Sequence, residues 1–169
     1  AFCNEGKYHH IAVEDEVTAY FTFENGATGT FYSTTGEASA INRLEISMED
    51  ALLVFENGKL RVRELKIHET DYRKTATDYF AQPEGEWKEI SCEGEDLEHV
   101  GILQNFADAV DGKAELFVEG AEGSKSLMFA NAMYLSSWTG QMVKIPQNIE
   151  EELAFEDAYE EEFAKKVRC

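Results

Sequence analysis

The chain has 169 residues, 43% hydrophobic and 12% aromatic, with 34 acidic against 15 basic side chains and a formal net charge of -19. That length and apolar content suit one folded domain with a real core and exclude a disordered chain. The acidic balance would repel nucleic acid or an anionic membrane, and no apolar run approaches the roughly 20 residues of a membrane span.

Glu16 to Glu24 is predicted as a strand, because Val17, Ala19, Phe21 and Phe23 alternate with Thr18, Tyr20, Thr22 and Glu24. Asn25-Gly26, where both residues tolerate positive φ, turns the chain into a second strand over Ala27 to Thr35. Thr28, Thr30, Tyr32 and Thr34 share one face of it. Arg43 to Met48, Ala51 to Glu56 and Lys59 to Lys66 follow as strands, joined at Glu49-Asp50 and Asn57-Gly58. Over Ile67 to Pro83 only a loose stripe of Ile67, Tyr72, Ala76, Tyr79 and Phe80 is visible, so an excursion with a short helix is expected there. Glu86 to Cys92 reads as a further strand.

Asp96 is placed to cap a helix running through Asp111, with Leu97, Val100, Leu103, Gln104, Ala107 and Val110 along one side and Gly112 ending it. Leu116 to Glu119 is a short extended piece. Ser124 to Thr139 is a second helix, on which Leu127, Ala130, Tyr134, Leu135 and Trp138 recur at three-and-four spacing. Gly140 can take the left-handed conformation that stops it. Met142, Val143 and Ile145 then take the period of a strand, closed by Pro146. Phe155 to Val167 is a last helix, and the acidic runs Glu150–Glu152 and Glu160–Glu162 read as solvated faces. Strands come early and helices late. That order predicts an α+β class over a single domain, residues 1–169: an open, mostly antiparallel sheet with helices packed on one face.

Few residue patterns carry chemistry. His9-His10, following Lys7-Tyr8, lacks the i, i+4 spacing of a zinc-binding helix, and an exposed loop is the expectation. His68 and His99 stand alone near acidic residues as surface groups. Glu14, Asp15 and Glu16 form an acidic lead-in to a strand, where a catalytic carboxylate pair cannot be told from solvated charge. Ser136-Ser137 have no strained elbow and no base–orienter arrangement, so they suit close backbone approach better than nucleophilic attack. Arg43 beside Asn42 could hold a carboxylate or a sugar hydroxyl, although a strand-end arginine is more often a surface ion pair. Cys3, Cys92 and Cys169 share no short spacing and are odd in number, which points to free thiols in a reducing, cytoplasmic compartment rather than disulfides or zinc. No Gly-rich turn leads into a helix as a nucleotide site requires. No signal-peptide pattern opens the chain, and the first residue is Ala rather than Met, so a piece cut from a longer protein is expected.

Four segments in order, VEDEVTAYFTFENGATGTF (Val13–Phe31), NRLEIS (Asn42–Ser47), HVGILQNFADAVDGKA (His99–Ala114) and VEGAEGSKSLMFANAMYLSSWTGQMVKIP (Val118–Pro146), resemble a known family. They look like the C-terminal domain of the glucose–fructose oxidoreductase / inositol dehydrogenase (Gfo/Idh/MocA) family, and the likeness runs from about Lys7 to the last helix. The resemblance implies a parent protein with an N-terminal Rossmann domain that binds NAD or NADP. It implies hydride transfer between the nicotinamide and a hydroxyl-bearing carbon of a sugar, cyclitol or related polyol. The family's Gly-rich phosphate loop and its Glu-Lys-Pro lysine are not in this chain. Its acid/base histidine, with an aspartate four residues earlier, is not reproduced either, since Glu5 and Gly6 precede His9 and His10 by four.

No catalytic, cofactor-binding or metal residue is therefore carried over, and the chain alone is expected to bind no cofactor and to be inactive. By position, Lys7, Tyr8, His9 and His10 match a loop before the first long strand, and Asn42 and Arg43 match a strand start; these are the substrate-side candidates. Thr18, Tyr20, Thr22, Thr28, Thr30 and Tyr32 form the sheet face expected to build a homo-oligomer, with the missing Rossmann domain as the other partner and neither nucleic acid nor membrane. The alternative is a free-standing, non-catalytic binding or oligomerisation domain of the same fold. A small hydrolase using Ser136 or His9 is a remote third.

Overall fold

The computed structural model describes residues 1–39, 41–78, 80–91 and 97–167. They fall into two compact units, Ala1–Ala38 with Glu98–Cys169, and Ser39–Leu97. The class is α+β, and every strand pairing among the described residues is antiparallel. The strands divide into two open sheets where the sequence suggested one.

In the first unit β1 (Phe2–Glu5), β2 (Glu14–Thr22) and β3 (Thr28–Thr34) lie in that order. β1 was not expected from the sequence. It pairs with β2 from Phe2 opposite Thr18 to Glu5 opposite Glu14. β2 stops at Thr22, short of the predicted Glu24, because Phe23 and Ala27 already belong to the turn, where the Phe23 N–H donates to the Ala27 carbonyl at 2.8 Å. Asn25 and Gly26 make that turn: the Asn25 side chain accepts from the Ala27 N–H, and Gly26 sits at φ +86°.

The second unit is a meander of β4 (Arg43–Ser47), β5 (Ala51–Glu56), β6 (Lys59–Leu65) and β7 (Gly85–Ile90), with the short helix α1 (Glu69–Thr75) between the last two. Asn57 and Gly58 both hold positive φ, at 54° and 74°, which is what a two-residue hairpin turn needs. Ala51 and Val54 are its buried apolar residues. Across the sheet, the Arg61 guanidinium lies 5.5 Å from the Trp87 ring centre.

The chain returns to the first unit with α2 (Glu98–Val110), α3 (Gly120–Thr139) and α4 (Ile149–Val167). Ala132 and Leu135 of α3 meet Phe155 of α4, with Met128, Val143, Ile145 and Tyr159 packed around them. The inward face of α3 is thus rotated from the predicted stripe, and Leu127 stands exposed. Met142 to Ile145 form no strand, since no neighbouring strand takes their backbone groups; Val143 and Ile145 pack into the helical core instead. α4 begins six residues earlier than predicted, at Ile149 rather than Phe155. Asn148 caps it by accepting from the Glu151 N–H at 3.0 Å, and Glu150–Glu152 in the first turn suit the positive end of the helix dipole. No side chain of α2 is buried, so its predicted apolar side builds no part of the core. The expected cap at Asp96, the strand end at Cys92, Tyr79 and Cys169 lie outside the described residues.

Candidate functional site

Alternation along β2 makes Val17, Ala19 and Phe21 the face that α3 covers: Phe21 meets Phe129 of α3 edge-to-face at 5.2 Å. Asp15 precedes them at a bulge, where the pairing with β1 passes from Asn4 opposite Glu16 to Glu5 opposite Glu14. A buried carboxylate must find donors or stay protonated. Here the preceding loop supplies them. The Lys7 N–H donates to Asp15 Oδ1 at 3.0 Å, and the Tyr8 and His9 N–H groups donate to Oδ2 at 2.7 and 2.9 Å. The Asp15 side chain is fully buried beneath them. Burial pushes its carboxyl up, but the backbone donors of Tyr8, His9 and Lys7 outweigh that and hold it below its ordinary value.

The loop closes on a glycine for a steric reason. Gly6 sits at φ +56°, and a Cβ there would come within 2.8 Å of the Ile11 carbonyl oxygen. Lys7, Tyr8 and His9, all exposed, are thereby gathered over the start of β2. Lys7 Nζ holds both oxygens of Glu16 at 2.6 Å, Asn4 donates to Glu16 at 2.6 Å, and the Tyr8 hydroxyl adds a bond at 3.2 Å. The Lys7 ammonium is the main cause of the lowered Glu16 pKa, and Glu16 in turn raises that of Lys7. The Tyr8 ring rests on Gly36, where a Cβ would stand only 2.2 Å from the ring.

His9 Nδ1 lies 3.4 Å from Asp15 Oδ2 and 3.3 Å from the Thr35 hydroxyl. Both polar neighbours meet the same ring nitrogen. A nucleophile–histidine–aspartate relay needs them on opposite nitrogens, so Thr35, His9 and Asp15 do not form one. His10 is exposed and makes no hydrogen bond or ion pair among the described residues.

The uncovered face of the same sheet carries the Thr/Tyr set. Thr18 stands opposite Tyr32, Tyr20 opposite Thr30, and Thr22 opposite Thr28, with Phe2 of β1 extending the first row. Register therefore brings these residues together as one exposed, uncharged surface. Tyr32 donates from its hydroxyl to Glu37 at 2.6 Å, which pushes the phenol up to about 12. On the covered face, Ser136 and Ser137 serve the backbone of β1: their hydroxyls accept from Ala1 N at 2.7 Å and the Cys3 N–H at 2.9 Å. Ser136 also donates to the Gln141 carbonyl.

Asn42 and Arg43 belong to the second unit. Asn42 is exposed just before β4, and the Arg43 guanidinium is held by Glu45 at 2.5 Å and by its cross-strand partner Glu56 at 3.2 Å. Among the described residues no group of three His, Cys, Asp or Glu could hold a metal ion. No described helix is long and apolar enough to cross a membrane.

Helix α3 opens on Gly120 and Gly123, yet Glu119 stands at its N-cap and Glu122 in its first turn, and no strand leads into it. Those carboxylates oppose the pyrophosphate of a dinucleotide, so the N-terminus of α3 does not suit one. Asp15 is the organising residue that sequence reasoning passed over. Local pattern gave no signal for it, because Asp15 sits at a bulge that only the pairing of β2 with β1 creates. No protein-family model matches the chain, and no curated protein matches it.

Proposed function

We propose that this chain is the substrate-side and oligomerisation domain of a cytoplasmic NAD(P)-dependent dehydrogenase of the Gfo/Idh/MocA type, acting on a sugar, a cyclitol or a related polyol. The observation that supports this reading best is the sheet of the first unit. One face is covered by α3, the other is open and lined by Thr and Tyr side chains, and the Lys7–His9 loop stands at its rim. Lys7 and Tyr8, exposed on that loop, carry an ammonium and a hydroxyl of the kind that orient neighbouring hydroxyls. In this reading the nicotinamide nucleotide is held by a Rossmann domain of the same polypeptide, and the acidic N-terminus of α3 supports that division. No step of the hydride transfer is assigned to a side chain here.

The test is the reading frame upstream of Ala1 together with the activity of its product. A Gly-rich strand–helix followed by a catalytic lysine, and reduction of NAD or NADP by some member of a polyol panel, is the expected result. The chain by itself should show no melting shift with excess NAD(H) or NADP(H); a saturable shift would count against the division of labour.

A second reading keeps the fold and drops the chemistry, making this a free-standing binding or oligomerisation domain. The internal satisfaction of Asp15 and Glu16 favours it, since neither carboxylate is left to act on a substrate. A reading frame without the nucleotide-binding half would decide for it.

A further inference from the structure

Between α3 and α4, away from the loop just described, lies an open groove of about 470 Å³ lined by Asn131, Phe155, Glu156, Tyr159, Glu160 and Phe163. One wall is aromatic. Phe155, Tyr159 and Phe163 follow one another at four-residue spacing, their rings nearly parallel with centroids 6.4 and 6.3 Å apart. Trp138 of α3 backs this row, 5.2 Å from Tyr159 and 6.2 Å from Phe163. The rim is anionic. Glu156 and Glu160 are exposed, and neither makes a hydrogen bond or ion pair among the described residues, whereas the neighbouring Glu161 and Glu162 both hold Lys165. Asn131 adds a carboxamide that also has no partner among the described residues.

This combination selects for one class of ligand. An aromatic wall attracts positive charge through its quadrupole, and unpaired carboxylates beside it strengthen the attraction while repelling anions. Glu156, Glu160 and Asn131 offer a bare metal ion fewer oxygens than the roughly six to eight that replace a hydration shell, and no group of three His, Cys, Asp or Glu among the described residues could hold one. An alkylated ammonium spreads its charge over methyl groups that lose water readily. We propose that this groove binds a small alkylated ammonium ion, with Tyr159 and Phe163 against the alkyl groups and Glu156 and Glu160 balancing the charge. The volume lies within the range of roughly 300–1,000 Å³ usual for small-molecule sites.

The test is calorimetric titration of the full chain with choline chloride, and in parallel with the neutral carbon isostere of choline, at constant ionic strength. The expected result is saturable one-to-one binding of choline, with the neutral isostere weaker by about tenfold. Glu160→Gln and Phe163→Ala should each weaken choline binding by about fivefold to tenfold. Both residues are exposed, Phe163 to 49%, so the variants should keep the fold, and circular dichroism checks this. Leu153→Ala, on an exposed position of α4 outside the groove, should bind as the unaltered chain does. Failure to saturate, equal affinity for the neutral isostere, or unchanged binding by both groove variants would overturn the proposal. None of these outcomes depends on the dehydrogenase reading, because no nucleotide or polyol enters the titration.

Discussion

Asp15 and His9 are joined twice: the His9 N–H donates to Asp15 Oδ2 at 2.9 Å, and His9 Nδ1 stands 3.4 Å from that same oxygen. The first contact belongs to the backbone and is one of three that fold the loop around a buried carboxylate. The second orients an exposed ring over it. The backbone of this loop and the His9 ring therefore meet at one carboxylate, Asp15, while the Lys7 and Tyr8 side chains turn to Glu16.

Replacing Asp15 with Ala should free the loop while leaving the sheet pairing of β2 with β3 in place. The N–H groups of Tyr8 and His9 lose their acceptor, and their amide exchange should quicken by about tenfold or more. Asp15→Asn should fall between the two, because its carboxamide keeps one acceptor oxygen and turns a donor toward N–H groups. Amide exchange followed by NMR reads both variants. Unchanged protection of Tyr8 and His9 in Asp15→Ala would mean that the loop is held by something else.

The same carboxylate sets an acid limit. Asp15 and Glu16 are both held below their ordinary values of 3.8 and 4.5, Asp15 by backbone donors acting against its burial and Glu16 chiefly by Lys7. A carboxyl depressed by folding stabilises the fold fully above its unfolded value, and that contribution fades as pH falls through the folded one. Melting temperature should thus be level from neutrality down to about pH 5, then decline below about pH 4.5. The double variant Asp15→Asn, Glu16→Gln should melt lower at pH 7 and show a shallower acid decline. Parallel acid profiles for the two proteins would sink the assignment.

Local chemistry made part of this fold legible. Asn57-Gly58 turns where the dipeptide predicts, and the alternation of β2 and β3 sorts Thr18, Tyr20, Thr22, Thr28, Thr30 and Tyr32 onto one exposed face. What stayed hidden depended on partners distant in sequence. Phe2 to Glu5 has no clear alternation of its own, and it becomes a strand because β2 and the serines of α3 take its backbone groups. Met142 to Ile145 shows the opposite case, a strand-like pattern with no edge to join. The loop of Lys7 to His10 could be placed, but its order could not, since the donors are backbone groups common to every sequence and the acceptor, Asp15, sits at a bulge set by the distant pairing with β1.

Gly36 tests the loop from the other side. Its backbone is not in the left-handed region, and the atoms nearest to an added methyl group are all of the Tyr8 ring, 2.2 Å from where the Cβ would stand. Gly36→Ala should therefore displace Tyr8, break its hydroxyl contact with Glu16, and cost about 1–3 kcal/mol in urea denaturation. The double variant Gly36→Ala, Tyr8→Ala removes the clash, so adding the Gly36 change to Tyr8→Ala should cost far less than adding it to the unaltered chain. Equal costs in the two backgrounds would place the clash elsewhere.

The open face bears on association. A chain with net charge -19 repels its own copies, and the surface of Phe2, Thr18, Tyr20 and Thr30 is built of uncharged side chains, with Glu37 held by Tyr32 at its edge. In a two-fold symmetric contact a single substitution enters twice, so Tyr20→Glu would set two new negative charges in one interface. Tyr20 is 61% exposed in the single chain, and the substitution should leave its fold intact by circular dichroism. Light scattering should find the unaltered chain dimeric at micromolar concentrations and Tyr20→Glu monomeric. Val110→Glu, which adds the same charge at an exposed position of α2, serves as the control and should stay dimeric. The reverse pattern would move the interface to α2, whose apolar side is equally uncovered. A monomeric unaltered chain would remove the oligomerisation role and leave the sheet face to a ligand or another domain.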